Sequence, residues 1–256
     1  MEQYLVVQAL KEFLRVKRLF PWLLLLAFTF GLGLLWRSLS PGSKLEDQYS
    51  QVSSILVFRM LALASAIYTT AIVGQEVEQR TIVYLLTRPI PRWKLLLTRY
   101  LASVVVVAGI GILSAWILSV AVYHGSGLGN PLLAKDVEAL CVGALAYGAF
   151  FLFVSLTLNR SMLVCLLFIF GWETSVPNMP GELYRLSIFS YLQAIAEHPQ
   201  VSLGRSLASF VSGSLGTNVV SSGTALTTMI VLIVVGLGAS AWWFTNFEYV
   251  PREDAE

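Results

Sequence analysis

Long apolar runs separated by short charged or Gly/Ser/Pro-rich stretches dominate the chain, at roughly 19–39, 52–74, 98–123, 137–158, 161–177 and 224–246. A helix needs about 20 apolar residues to cross about 30 Å of hydrocarbon. Five of the runs reach that length and the fifth, 161–177, is the shortest. The strict alternation of barrel strands is absent, and backbone groups in lipid must be paired within their own segment, so the runs predict six transmembrane helices. Ahead of them, residues 2–18 put Val6, Leu10, Phe13, Leu14 and Val16 near one helical face, with Gln8, Lys11, Glu12, Arg15 and Arg18 on another. A basic amphipathic helix of this kind is expected to lie in the membrane interface; the alternative is a plain extension of the first span. Because 18 patterned residues precede it and its apolar run exceeds a signal peptide's, the first run is read as a retained span.

Composition strengthens this picture. Hydrophobic residues make up 56% of the 256, charged residues 12%, and the mean hydropathy is +0.72, too little polar surface for a water-soluble globule of this size. The expected class is an all-α polytopic membrane protein with an N-terminal interfacial amphipathic helix. Cys141 and Cys165 fall inside apolar runs and read as small hydrophobes, with no disulfide framework or redox role.

The net charge of +2 gives no reason to expect a nucleic-acid partner; the placement of the charges carries the information. With the N-terminus inside, the inner side carries Lys11, Arg15, Lys17, Arg18, Arg80, Arg88, Arg92, Lys94, Arg99, Arg160 and Arg252. The outer side carries Arg37, Lys44, Lys135, Arg185 and Arg205. This bias favours cytoplasmic termini on both ends and makes the loop between spans two and three cytoplasmic. Residues 37–51 and 124–136 read as simple connections. Residues 172–222 form a longer outer segment in which Leu183, Leu186, Ile188, Leu192 and Ile195 predict a short amphipathic helix or helix pair that packs on, or dips into, the outer half of the membrane.

Candidate chemistry is sparse. No G-x-x-x-x-G-K-[ST], H-E-x-x-H or G-x-S-x-G motif occurs, so the sequence has no P-loop for a nucleotide and suggests no enzyme or cofactor of its own. His124 and His198 stand in loops, far apart and without a neighbouring ligand set, so no metal site is expected. Two charges remain at or near membrane depth: Arg59 in span two and Glu173 near the outer end of span five. They form a candidate intramembrane polar pair or polar cavity, the alternative being that each snorkels outward.

The stretch between spans two and three, "EVEQRTIVYLLTRPIPRWKLLLTRY" at 76–100, is the most charged in the chain. "TIVYLL" is too short to cross a membrane. Pro89 and Pro91 stop the helix, because each lacks a backbone donor and disfavours helix in the residue before it. Arg92, Trp93 and Lys94 restart it at an interfacial anchor. The expected object is a short, rigid cytoplasmic helix braced between two spans and suited to transmit a push; the plainer reading is a positive-inside anchor.

An acidic residue, Arg-Thr, an aliphatic run, Arg-Pro-x-x-Arg, a second aliphatic run and a basic residue follow one another here as Glu78, Arg80, Thr81, Leu85, Leu86, Arg88, Pro89, Arg92, Leu95, Leu96, Leu97 and Arg99. This order resembles the first cytoplasmic loop of permease subunits of ABC-2 type ATP-binding-cassette transporters. Thr98-Arg99 stands where that family commonly has Gly-Lys. The wider layout, a leading amphipathic helix, six spans and a long outer segment before the last, is similar too. The resemblance implies a single permease domain over 1–256 of the cell (inner) membrane and a homodimer of two such chains. It further implies two copies of a separate cytoplasmic ATPase that binds ATP and Mg, docked on a coupling loop at 76–97 through Glu76, Glu78, Arg80, Thr81, Leu85, Arg88, Pro89 and Arg92. An exporter of an amphipathic or apolar substrate is the expected function. The competing expectations are a non-transporting membrane anchor for a cytoplasmic partner and a membrane enzyme acting on lipids.

Overall fold

The computed structural model describes residues 16–39, 44–78, 92–123, 129–158, 160–178, 182–198 and 221–246, and everything said of the fold concerns these. Most of the leading amphipathic segment, residues 79–91 of the loop and 199–220 of the long segment lie outside them. Helix α1 spans Val16–Leu39. Helix α2, Leu45–Val52, passes through a π-helical turn at Ser53–Val57 into α3, Phe58–Glu78. Then come α4, Arg92–Tyr123, and α5, Leu133–Thr157. Helix α6, Ser161–Leu167, runs into a second π-helical turn at Phe168–Trp172 and a last α turn at Glu173–Ser175. Two 3₁₀ turns, Val176–Asn178 and Leu183–Leu186, lead to α7, Ile188–Ile195; α8, Ser222–Asn246, is the last. No strand occurs among the described residues.

Five stretches are long and apolar enough to cross a membrane: Leu19–Leu39, Leu45–Ile72, Trp93–Tyr123, Leu133–Thr157 and Ser222–Asn246, with Ser161–Ser175 a shorter apolar helix. The protein is therefore a multi-pass, all-helical membrane protein. The outward side chains of α1 and α8, among them Leu23, Leu24, Phe28, Val231, Val234, Val235 and Trp242, are apolar and exposed, as lipid requires.

One end of the bundle, here the Leu45 end, gathers Leu39, Leu45, Tyr123 and Leu133; the other, the Glu78 end, gathers Glu78, Arg92 and Thr157. At the Leu45 end, Arg37 Nη1 donates to the carbonyl of Val122 at 2.6 Å and so satisfies one of the carbonyls that the end of α4 leaves unpaired. The helices approach closely where small residues meet bulky ones. A Cβ on Gly33 would meet Ala121 Cβ at 2.9 Å, drawing α1 onto α4; one on Gly143 would meet Leu61 Cδ2 at 2.7 Å and Leu192 Cδ1 at 2.9 Å. The Leu61 side chain therefore fits between Gly111 of α4 and Gly143 of α5. Gly31 and Gly109 have nothing within 4 Å of such a Cβ, so they are not packing notches.

One sequence expectation changes and another is extended. Residues 45–51 are not a bare connection: they are helical because Gln48, Tyr49 and Ser50 are buried in the bundle, where an unpaired backbone would be costly. In the long segment the structure adds a buried helix to the expected packing: Leu183 and Leu186 are exposed, but α7 is not. Leu192 and Ile195 of α7 belong to the same buried core as Leu140 and Ala144 of α5 and Met229 of α8. The fifth apolar helix is too short to cross alone, and α7 carries the chain on from its far end to the Leu45 end, where His198 reaches Ser50.

Candidate functional site

Two polar clusters hold α7, one at each end, and each lies beside a π-helical turn. Such turns leave backbone groups out of the regular ladder and concentrate at functional sites.

The first cluster is at mid-depth. Arg59 lies 14 residues beyond Leu45 and 13 before Ile72, so about 20 Å of helix separates it from either end of its apolar stretch. Its Nη1 donates to the carbonyl of Ile169, inside the second π-helical turn, at 2.8 Å and to Thr174 Oγ1 at 2.7 Å. Nη2 donates to the backbone carbonyl of Glu173 at 3.1 Å, and the guanidinium lies 5.4 Å from the centre of the Phe189 ring. The Glu173 carboxylate faces elsewhere. It accepts from Ser187 Oγ at 2.6 Å and from the backbone N–H groups of Ile188 at 3.0 Å and Phe189 at 3.1 Å. These are orphan donors of the first turn of α7, and an anion at a helix N-terminus is favoured by both the hydrogen bonds and the dipole. Tyr147 of α5, fully buried, turns its hydroxyl toward the same carboxylate. The sequence-predicted pair is thus brought into one cluster. It is joined through a backbone carbonyl and through space, with the carboxylate hydrogen-bonded to α7 rather than to the guanidinium.

The second cluster closes the Leu45 end and was not expected. Asp136, in the first turn of α5, is fully buried; its Oδ2 accepts from Tyr49 Oη at 2.6 Å and from Ser53 Oγ at 3.0 Å. Its Oδ1 meets Nε2 of His198, whose Nδ1 is 3.3 Å from the carbonyl of Ser50. A carbonyl only accepts, so the contact with Ser50 makes Nδ1 the donor there. Next to this pair, Lys135 bridges Glu197, which has φ of 50°, an uncommon value outside glycine, at the C-terminal end of α7. Sequence reasoning left His198 in a loop and Asp136 in a connection. The only signal pointing further is the run Gln48, Tyr49, Ser50, whose polar groups need partners once buried.

Of the expected coupling residues, Glu76 and Glu78 lie in the last turns of α3 and Arg92 opens α4. Arg80, Thr81, Leu85, Arg88 and Pro89, and the side chains of the other three, lie outside the described residues. Cys141 and Cys165 are both free, and no group of His, Cys, Asp and Glu able to hold a metal occurs among the described residues.

No curated protein matches the chain. A family model described as "ABC-2 family transporter protein" matches residues 10–174, more than half of the 256, and spans α1 to α6 with Arg59, Asp136 and Glu173, ending before α7. With its multi-pass helical bundle and its loop motif, the chain belongs to the ABC-2 family of transporter proteins and is a transmembrane component of an ABC transporter.

Proposed function

We propose that this chain is the transmembrane subunit of an ATP-driven exporter, coupled to a separate cytoplasmic ATPase through the segment between α3 and α4. The observation that carries the reading is the length of the helices flanking that segment. Helix α4 has 32 residues, about 48 Å at about 1.5 Å each, against about 30 Å of hydrocarbon. Helix α3 continues six residues past Ile72 to Glu78. Helix α3 therefore runs on past its apolar stretch at the Glu78 end, where the long helix α4 begins, and Trp93, exposed with Lys94 Nζ 5.6 Å from its ring centre, suits the level of an interfacial anchor. A partner seated on residues 76–97 pushes on both helices at once.

On this reading the Glu78 end is cytoplasmic, with both chain termini on that side, in the cell (inner) membrane. Glu76, Glu78, Arg80, Thr81, Leu85, Arg88, Pro89 and Arg92 form the docking element. ATP and Mg belong to the partner, and two copies of this chain pair over two ATPases. The test is co-purification of the detergent-solubilised chain with candidate P-loop ATPases, comparing the wild type with the double variant Glu78→Arg, Arg92→Glu. The proposal expects an ATPase to be retained by the wild type and released by the reversal, with helical content unchanged. Binding that ignores the reversal contradicts it.

A further inference from the structure

We propose that the Arg59 guanidinium binds the anionic headgroup of an amphipathic molecule, a phosphate or carboxylate on an apolar tail, at mid-depth on the open face of the bundle. A guanidinium carries five N–H groups. Three are engaged, by Ile169, Thr174 and the backbone of Glu173. Nε–H has no hydrogen-bond partner among the described residues, and the Arg59 side chain is only half-buried.

The surface beside it is specific. From the end of α2 through the π-helical turn into α3, every fourth residue is exposed or half-buried, at Gln51, Ile55, Arg59, Leu63, Ile67 and Ala71, with Ser54 and Leu56 half-buried beside this stripe. Apart from Gln51 at the Leu45 end and Arg59, the stripe is apolar. Arg59 is thus a cation in the middle of an apolar track. Its engaged N–H groups are turned to carbonyl and hydroxyl dipoles, which orient the charge without cancelling it. The nearby Glu173 carboxylate is hydrogen-bonded to Ser187, Ile188 and Phe189. That carboxylate acts on Arg59 through space but gives it no oxygen to bond, and a guanidinium edge at membrane depth suits the oxygens of a phosphate or carboxylate. The apolar residues on either side, Ile55 and Leu63, suit the tail. The same chemistry comes from a bilayer lipid or from a transported molecule; only the second source rests on the transporter reading.

The test uses the full chain in nanodiscs of phosphatidylcholine with a minor share of phosphatidylglycerol, read by native mass spectrometry of the released protein. The wild type retains phosphatidylglycerol over phosphatidylcholine. Arg59→Gln lowers that preference about tenfold, the factor expected for one charge-assisted hydrogen bond, and Arg59→Lys retains most of it. Should Arg59→Gln fail to fold, Ile55→Glu serves in its place. Ile55 is 66% exposed and one turn away on the same stripe, so a carboxylate there competes for the guanidinium without entering the core, and the same loss is expected. Dodecyl phosphate in discs free of phosphatidylglycerol separates the sources. If the wild type binds it and phosphatidylglycerol displaces it, the occupant is a bilayer lipid; if it binds while phosphatidylglycerol shows no preference, the occupant is a cargo headgroup. Equal retention of anionic and neutral amphiphiles by the wild type, or a preference unchanged in Ile55→Glu, overturns the proposal. So does a dimer that retains no anionic amphiphile, because a second copy then covers the stripe. No ATPase enters this experiment, so its outcome and that of the docking test are independent.

Discussion

The clusters at the two ends of α7 use the same ingredients and reach different states. At the Leu45 end the Tyr49 and Ser53 hydroxyls and His198 Nε2 all meet the Asp136 carboxylate, His198 Nδ1 meets the Ser50 carbonyl, and the carboxylate and imidazole are sealed from solvent. At mid-depth the Glu173 carboxylate is equally sealed by the N-terminus of α7, but the Arg59 side chain beside it keeps an unengaged N–H on an exposed track. A closed polar cluster fixes geometry, because any opening leaves several buried groups unpaired at once. A half-open one has capacity left for a ligand. The contrast assigns anchoring to the first and recognition to the second, with α7 the element held between them.

Breaking the closed cluster should have the largest effect. Asp136→Ala strands the Tyr49 and Ser53 hydroxyls and the His198 ring together, and the expected loss is about 3–5 kcal/mol in reversible unfolding from detergent into denaturing detergent. A loss below about 1 kcal/mol would mean that the Leu45 end of α7 is not held there. At mid-depth, Glu173→Ala is expected to cost about 2–3 kcal/mol in the same assay by orphaning the first-turn donors of α7, while Glu173→Gln, which keeps an acceptor, costs less. Between the clusters, Gly143→Ala should cost about 1–2 kcal/mol because its Cβ meets Leu61 and Leu192, and adding Leu192→Ala should cost less than the two single changes summed. Strict additivity would contradict the close seating of α7 on α5. The smallest effect belongs to Glu197→Gly. Glycine relieves the positive φ but loses the exposed pair with Lys135, so the melting temperature should move little, equivalent to within about 0.5 kcal/mol.

Much of the fold was legible because the bilayer imposes a simple rule on composition. Runs such as Leu23–Leu26 or Val104–Val107 announce spans without help from the rest of the chain, and Arg59 and Glu173 stood out as charges inside such runs. What they do was less legible. The guanidinium reaches across 110 residues to the Ile169 carbonyl, an acceptor created by a π-helical turn that no local residue pattern announces. The closed cluster left still less trace. Asp136 and His198 lie 62 residues apart in stretches whose charges ordinarily point into water, and only the fold brings them together. The span boundaries moved for a related reason: Gln48 and Ser50 look like loop residues until burial among α1, α4 and α5 makes helix the only way to pair their backbone.

If this subunit transmits work between a cytoplasmic ATPase and the bundle, as proposed, ATP hydrolysis by a co-purified ATPase in proteoliposomes should depend on the presence of this chain. The chain is expected to raise the rate, an amphipathic anion such as dodecyl phosphate to raise it further, and Glu78→Arg with Arg92→Glu to remove both effects. A rate indifferent to the chain, to the amphiphile and to the loop reversal would contradict that proposal and leave the chain an anchor rather than a transporter subunit.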